Sequence, residues 1–541
     1  MTFHVEPLPV LTKRPEVLGA ILVLTGVLLT AVMDSIASTA LSIGRLDMLG
    51  DIHATTDEFA TFDIAFVAAK VTSFLVAPLF VAARGPTPCL RAGAVALLLA
   101  SAAMTFSVDI AWIDACRIVQ GFAGGTVLVA GQTLLFFRFP SRQQPIVQAL
   151  LALGSVMAPT TVTPALQGWL VDHLSWDWIF LSNVPVGIVA LVMLAADRGR
   201  TFRYEIRTPY IQIALAGIAA ASLTYVSQQG SRFNWFDDGH IILLTVTGLL
   251  AVILLLLWEF QFASDRLILP ASPLGNPDYC FALVVSLVAG FALSGSAFLI
   301  PAFALNVLNF TATDAGALLL PSGAMLGCAL LVAGIGVKKS GINPLALAPA
   351  GVVFFASAMW FMSGSTSDSG AVDLEFPLLL RGFGLGFLFV GLTLFALTLL
   401  PAKALPFGIG LFDLGKQVGG LAGTALLQTY LDQQLAHNRT ILASHLGVGE
   451  VVLEERLKAV AGQLEARGLD GVVSGKVALS VLRQAVDRQA VTISFNEAFL
   501  AIVLLFLVAA PCLILCKRLL SLLSAVQVNI SSQAAIAGKR R

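Results

Sequence analysis

Seven charged residues stand inside stretches that are otherwise apolar: Asp34, Asp63, Lys70, Arg117, Arg381, Asp413 and Lys416. A carboxylate in such a setting changes its proton affinity when a cation beside it moves. A buried guanidinium costs roughly 3 kcal/mol or more unless it meets a partner or a wet cavity. Arg117 opens RIVQGFAGG and Arg381 opens RGFGLGFLF, each a turn or two into an apolar run and each followed by closely spaced glycines. Gly121, Gly124 and Gly125 are the small positions of the first run, and small residues let helix backbones approach and slide. Matching intramembrane features in two halves mark a transporter whose site lies between repeats. Two readings of the arginines stand: they line a shared cavity, or each snorkels to the outer interface.

The elements that position these charges must be membrane helices. Of the 541 residues, 57% are hydrophobic and 12% charged, against about 25% charged in soluble domains. Apolar runs of about 20 residues recur along the chain, each able to cross roughly 30 Å of hydrocarbon as a helix. Backbone groups in lipid must bond within their own segment, and the alternating ten-residue strands of a barrel are absent. The runs read as fourteen spans joined by short Pro-, Gly- and Arg-rich loops such as RGPTPCLR and RFPSRQQP. Lys and Arg concentrate on one side (Lys13, Arg84, Arg138, Arg200, Arg266, Lys338 and Lys403 among them), whereas Arg45 and Arg232 alone mark the other short loops. That bias puts the N-terminus in the cytoplasm.

Depth then follows from 1.5 Å per residue. Asp34 lies about 24 Å up an outward-running helix, and Arg117 a turn or so below the outer face. Their similar depth predicts a proton-coupling pair; a helix-packing hydrogen bond is the other reading of Asp34. Asp63 and Lys70 are seven apart and share a helix face. Lys70 falls near the midplane, where it lines a substrate cavity or forms a structural ion pair with Asp34 or Asp63. Gln120, one turn after Arg117, joins Arg381 and Asp63 as a candidate cavity residue. Asp413 and Lys416 stand at i, i+3 and are expected to pair.

The expected organisation is a cytoplasmic lead over 1–17, a six-helix bundle over 18–196, a linker with two further spans over 197–279, a second six-helix bundle over 280–517, and a cytoplasmic tail over 518–541. The lead runs into a full-length span with no small-residue cleavage site, which reads as a retained first helix. Between the last two spans, at 407–431 and 494–517, residues 432–493 form a long polar outer loop. Leu453, Leu457, Val460 and Leu464 make one helical stripe there; a GLDG break at 468–471 precedes a second amphipathic stretch. The pair predicts a hairpin projecting roughly 20–25 Å. It either caps the outer face or docks a periplasmic partner. The six cysteines lie in or beside spans and suit packing, and the six scattered histidines show no metal or nucleophile spacing. Zero net charge suggests no nucleic-acid partner, and no cofactor or metal is implied.

Together these residues resemble the major facilitator superfamily, in its fourteen-span drug:proton antiporter branch of the EmrB type. VMDSIASTAL is similar to that branch's first-helix motif, with Asp34 as the acid; RIVQGFAGG matches its fourth-helix motif through Arg117 and Gln120. WDWIFLSNVPVG keeps Trp176, Trp178, Asn183 and Pro185 of a further element, and the extra pair at 209–260 and the long outer loop fall where the branch has them. The resemblance implies an all-α polytopic fold of two six-helix bundles plus the extra pair. Protons would enter as a hydrophobic or amphiphilic substrate leaves, by alternating access across the inner membrane of a Gram-negative cell. A periplasmic adaptor and an outer-membrane channel would engage through 432–493. Departures are specific. PLFVAARGPTP replaces the glycine-, acid- and arginine-bearing loop after the second span, and TPALQG replaces a Gly-Pro-x-x-Gly-Gly core. Pro159, Pro164 and Gly168 remain as gating and packing positions, while Thr163 and Gln167 stand in for glycines. Asp177 reverses a usually basic position, Asp413-x-x-Lys416 stands for Asn-x-x-Arg, and Lys70 sits where the branch has a neutral residue, which points to an anionic or zwitterionic substrate. Import of a small charged metabolite, a membrane-embedded transferase, and a sensor that has lost transport are the competing readings.

Overall fold

The computed structural model describes residues 14–43, 45–106, 108–197, 209–261, 271–444, 451–467 and 470–538, and every regular element among them is helical. Thirteen of these helices are long and apolar enough to cross a bilayer. In the first half they are α1 (Arg14–Ile43), α2 (Thr56–Arg84), α3 (Pro86–Ala103), α4 (Ile110–Arg138), α5 (Gln144–His173) and α6 (Asp177–Leu194). The added pair follows as α7 (Tyr210–Gln229) and α8 (Gly239–Gln261). The second half holds α9 (Pro277–Asn306), α10 (Ala312–Ser340), α11 (Leu347–Met362) and α12 (Ala371–Leu397). Next come α13 (Leu405–Ser444), α14 (Val451–Glu465) and α15 (Gly471–Gly538), and the apolar portion of α15 supplies the thirteenth of these spans.

The one expected span missing from these thirteen, 407–431, lies inside α13, whose Asp413 and Lys416 and glutamine-rich outer end dilute its apolar character. Both α13 and α15 continue unbroken out of their apolar portions. The expected helix pair at 432–493 forms, α14 against the start of α15, but it is continuous with the spans: α13 runs out past 431 as a further arm, and α15 carries the second amphipathic stretch straight into the last span. Leu457, Val460 and Leu464 of the expected stripe are half-buried and α14 packs on α15. Leu453 lies in α14; positions 468–469 of GLDG, and Lys13, Arg200 and Arg266 of the cytoplasmic cations, lie outside the described residues.

Within the first half, α2 and α4 pack tightly, flanked by α1, α3 and α6; in the second, α10, α11 and α12 form the corresponding group, with α9 against α13. The halves meet along α5 against α10 and along α2 against α13. Residues Leu153–Val162 of α5 are wound as a π-helix around Pro159, a loosened form common at functional sites. This segment touches both α1 and α10. At its outer end, Gly168 leaves room for the Ala312 carbonyl, and Asp172 accepts from the Thr313 backbone and hydroxyl of α10.

The added pair spans the other seam. From its outer turn Gln228 donates to Asp63 (2.8 Å) and Arg232 pairs with Asp57, on the α2 side. Ser231 donates to Asp432 (2.7 Å) and Trp235 to Thr429 (3.1 Å), on the α13 side.

Candidate substrate and proton site

The charged residues fall into three groups, two in the first half and one in the second. The first surrounds Arg117, seven residues and so about 10 Å from the middle of α4. Its side chain is fully buried. Nε donates to the Phe62 carbonyl (3.1 Å); Nη1 donates to the Ala37 carbonyl (2.8 Å) and Gln120 Oε1 (3.1 Å). Asp63 Oδ1 stands 3.7 Å from Nη2, and the Phe66 ring lies 4.3 Å from the guanidinium carbon. Gln120 passes the network on to Ser101 (3.2 Å), which also receives Asn183 of α6. Ser101 and Asn183 join four helices at one point, and a polar residue within an apolar run was the signal for each.

The second group is Asp34 with Lys70. Lys70 Nζ donates to Asp34 Oδ2 at 2.7 Å, and both residues are buried. The expected pairing of Asp34 with Arg117 is thus not the one formed. Depth was similar, but rotation about α1 decides the partner: Arg117 meets the carbonyl of Ala37, nearly a turn above Asp34, while the carboxylate turns to the midpoint of α2. Asp34 Oδ1 is buried without a hydrogen-bond partner. A Cβ on Gly124 would collide with that oxygen, and one on Gly121 with the Phe66 carbonyl. Glycine at these two positions is what lets α4 lie against the acid and against α2. Gly125 sits likewise beside Ser73 and the Lys70 carbonyl.

Beside this pair, the positions that depart from the antiporter core also bond to α1. Gln167 donates to the Ile36 carbonyl (3.0 Å) and to Thr39 Oγ1 (2.9 Å); Thr163 shares a hydrogen bond with Thr39 at 2.9 Å. Where glycines would leave a slip surface, α5 is tied to α1. Pro164 lies under Gly316 of α10 at the seam between the halves.

The third group is in the second half. Lys416 Nζ lies 2.6 Å from Asp413 Oδ1, with the acid buried and the lysine half-buried. Arg381 is fully buried, and donates from Nε to Ser296 Oγ (2.9 Å) and from Nη1 to Ser322 Oγ (3.0 Å). The structure does not bring Arg381 to Arg117, Lys70 or any acid among the described residues. No group of three or more His, Cys, Asp or Glu able to hold a metal occurs among the described residues.

The described elements are thus helical throughout, with an ion pair on a buried acid in each half and small residues at the helix contacts. The family model of the Major Facilitator Superfamily matches residues 23–424. The chain belongs to this superfamily. It is a multi-pass inner-membrane transporter with the all-α major facilitator fold. The colistin resistance protein EmrB of Acinetobacter baumannii is 24% identical over 402 residues, covering 73% of this chain and 76% of its own. The fatty acid resistance protein FarB of Neisseria gonorrhoeae is 23% identical over 492 residues, 90% of this chain and 94% of its own. The multidrug export protein EmrB of Escherichia coli is 27% identical over 410 residues, 75% and 77%. In this major facilitator, Arg117 and its glycines lie on α4 at the heart of the first half, with Asp34 on α1 alongside.

Proposed function

We propose that the protein is a proton-coupled exporter of hydrophobic or amphiphilic small molecules, with Asp34 as the coupling acid and Lys70 as its counter-charge. The observation that carries this reading is the buried Asp34–Lys70 pair, closed over by Gly124. When α2 and α1 separate, Lys70 leaves, and the carboxylate in low dielectric takes a proton. When they close, Lys70 returns and the proton goes to the other side. Arg117 orders this movement from above: it holds the α1 and α2 carbonyls and faces Asp63, whose side chain is 39% exposed. Gln120 fixes the guanidinium, and Gly121, Gly124 and Gly125 with Pro159, Pro164 and Gly168 set the surfaces that slide. The printed names of the relatives concern resistance and export, which supports outward transport by this chain. The arms of α13, α14 and α15 extend from the outer ends of two spans, a shape suited to engaging a periplasmic adaptor and through it an outer-membrane channel.

Energised inside-out vesicles with a pH dye test this reading. Addition of a chemically mixed panel of compounds should release protons from wild-type vesicles and not from Asp34→Asn vesicles at equal protein content. Undiminished release in the variant would remove Asp34 as the coupling acid. Release lost in Asp413→Asn and kept in Asp34→Asn would move coupling to the second half.

A further inference from the structure

Four cations sit at or near the centre of this transporter, and three of them face an acid: Lys70 with Asp34, Lys416 with Asp413, and Arg117 with Asp63. Arg381 is the exception. We infer that its guanidinium is a binding site for the carboxylate of an amphiphilic substrate, held between α9, α10 and α12. The inference rests on the exporter reading above and adds the chemical class of the cargo.

The donors are arranged for it. Both serines accept from Arg381 as neutral oxygens, and neither can compensate the charge. The Ser296 hydroxyl spends its own hydrogen on the Ala292 carbonyl (2.7 Å), so it is fixed as an acceptor. Nη2 is buried without a hydrogen-bond partner. An arginine keeps its charge in a protein, and an uncompensated buried charge is strongly unfavourable. A carboxylate meets a guanidinium edge through two parallel N–H donors, and Nη1 with Nη2 offers such an edge once the Ser322 bond is exchanged. A lysine at this place would supply a point charge without that fork.

Depth separates a substrate from a lipid headgroup. Arg381 is three residues from the middle of α12, about 5 Å, so it lies roughly 10 Å below the edge of the hydrocarbon core. Access follows the seam between the halves. Gly323, next to Ser322, lies against Thr161 of the π-helical segment of α5. Rocking of the halves along α5 and α10 therefore opens at the residue beside the Arg381 acceptor, and the repeat interface is where transporters of this build place their substrates.

The test uses the full-length protein in phosphatidylcholine nanodiscs and radiolabelled dodecanoate as the probe. Dodecanol serves as its neutral counterpart and rhodamine 6G as a cation. Wild type should bind dodecanoate saturably and more tightly than it binds dodecanol. Arg381→Gln should weaken dodecanoate at least tenfold while leaving rhodamine 6G within twofold. Arg381→Lys should recover part of the loss. Equal dodecanoate affinity in wild type and a folded Arg381→Gln variant would overturn the inference, as would a wild type that does not distinguish dodecanoate from dodecanol. If Arg381→Gln does not fold, Arg381→Lys decides: it keeps the charge, loses the fork, and should bind dodecanoate at least threefold more weakly than wild type, with unchanged affinity counting against the site. The two readings fail separately. Substrate-driven proton release with no carboxylate preference leaves the exporter and removes the site; carboxylate binding with no proton release for any compound does the reverse.

Discussion

Arg117 and Arg381 occupy related places in the two halves and are furnished in opposite ways. Each is fully buried, each is followed by a glycine that abuts a neighbouring carbonyl (Gly121 on Phe66, Gly382 on Ser322). Around Arg117 the chain supplies two backbone carbonyls, a glutamine and an acid; around Arg381 it supplies two serine hydroxyls. The first half is thus electrically closed and can hold a stable resting arrangement while one carboxylate trades its partner. The second half keeps a positive charge available to cargo. Coupling and recognition are separated by which of the two arginines meets an acid from its own half.

The largest expected effect tests whether the first half is closed as described. Asp34→Asn leaves Lys70 buried without its acid, and breaking one side of a buried pair costs about 3–5 kcal/mol. Lys70→Met should destabilise comparably by stranding Asp34. The double variant should recover most of the loss, to within about 1 kcal/mol of wild type, read by thermal or denaturant unfolding in detergent. Additive losses would show that the two charges do not act as a unit.

Next come the arginines themselves. Arg117→Gln removes the donor from the Ala37 and Phe62 carbonyls and should cost about 1–3 kcal/mol. Arg381→Gln relieves an uncompensated charge and is expected to be neutral or stabilising by the same assay. Equal losses in the two would erase the distinction between the halves. Gly121→Ala belongs to the same range. A Cβ there meets backbone, so α2 and α4 must part, at about 1–3 kcal/mol, and the Phe66 ring under Arg117 moves with them. Transport should fall along with the melting temperature; an unaffected variant would mean that this contact is looser than its geometry.

Much of this arrangement was legible in the sequence because lipid permits so few solutions. Apolar runs, Lys/Arg bias and the repeated Arg-glycine pattern follow from the cost of exposing backbone and charge to hydrocarbon, and each acts locally along the chain. What was not legible depends on rotation and on solvent. The rise of a helix gives the depth of Asp34 but not its azimuth, so Arg117 was as good a partner as Lys70 until the packing of α1 on α2 and α4 was known. The outer loop misled for a related reason. No proline or glycine interrupts the run from 476 to 510; the change at about 494 is from water to lipid, and a helix passes through it unbroken. The bonds of Gln167 and Thr163 to α1 were hidden too, because a missing glycine tells what is lost and not what the replacement finds. Gln228, Ser231 and Trp235 carried no signal at all, since their partners lie in distant segments.

Their neighbour Arg232 sets the smallest expected effect and a limit on the comparison. Arg232 pairs with Asp57 across the outer turn of the added helices, with the two side chains 44% and 57% exposed. An ion pair in water that also fixes two flexible side chains contributes about 0–1 kcal/mol, and salt screens it further. Arg232→Ala should therefore lower stability by less than about 1 kcal/mol, and the double variant with Asp57→Ala should show coupling that fades as ionic strength rises. A larger, salt-resistant coupling would mean that the outer turn clamps the α2–α13 seam with strength comparable to the buried pairs. The contrast between the halves would then belong partly to the added helices, which contact both, rather than to the counter-ions each half supplies.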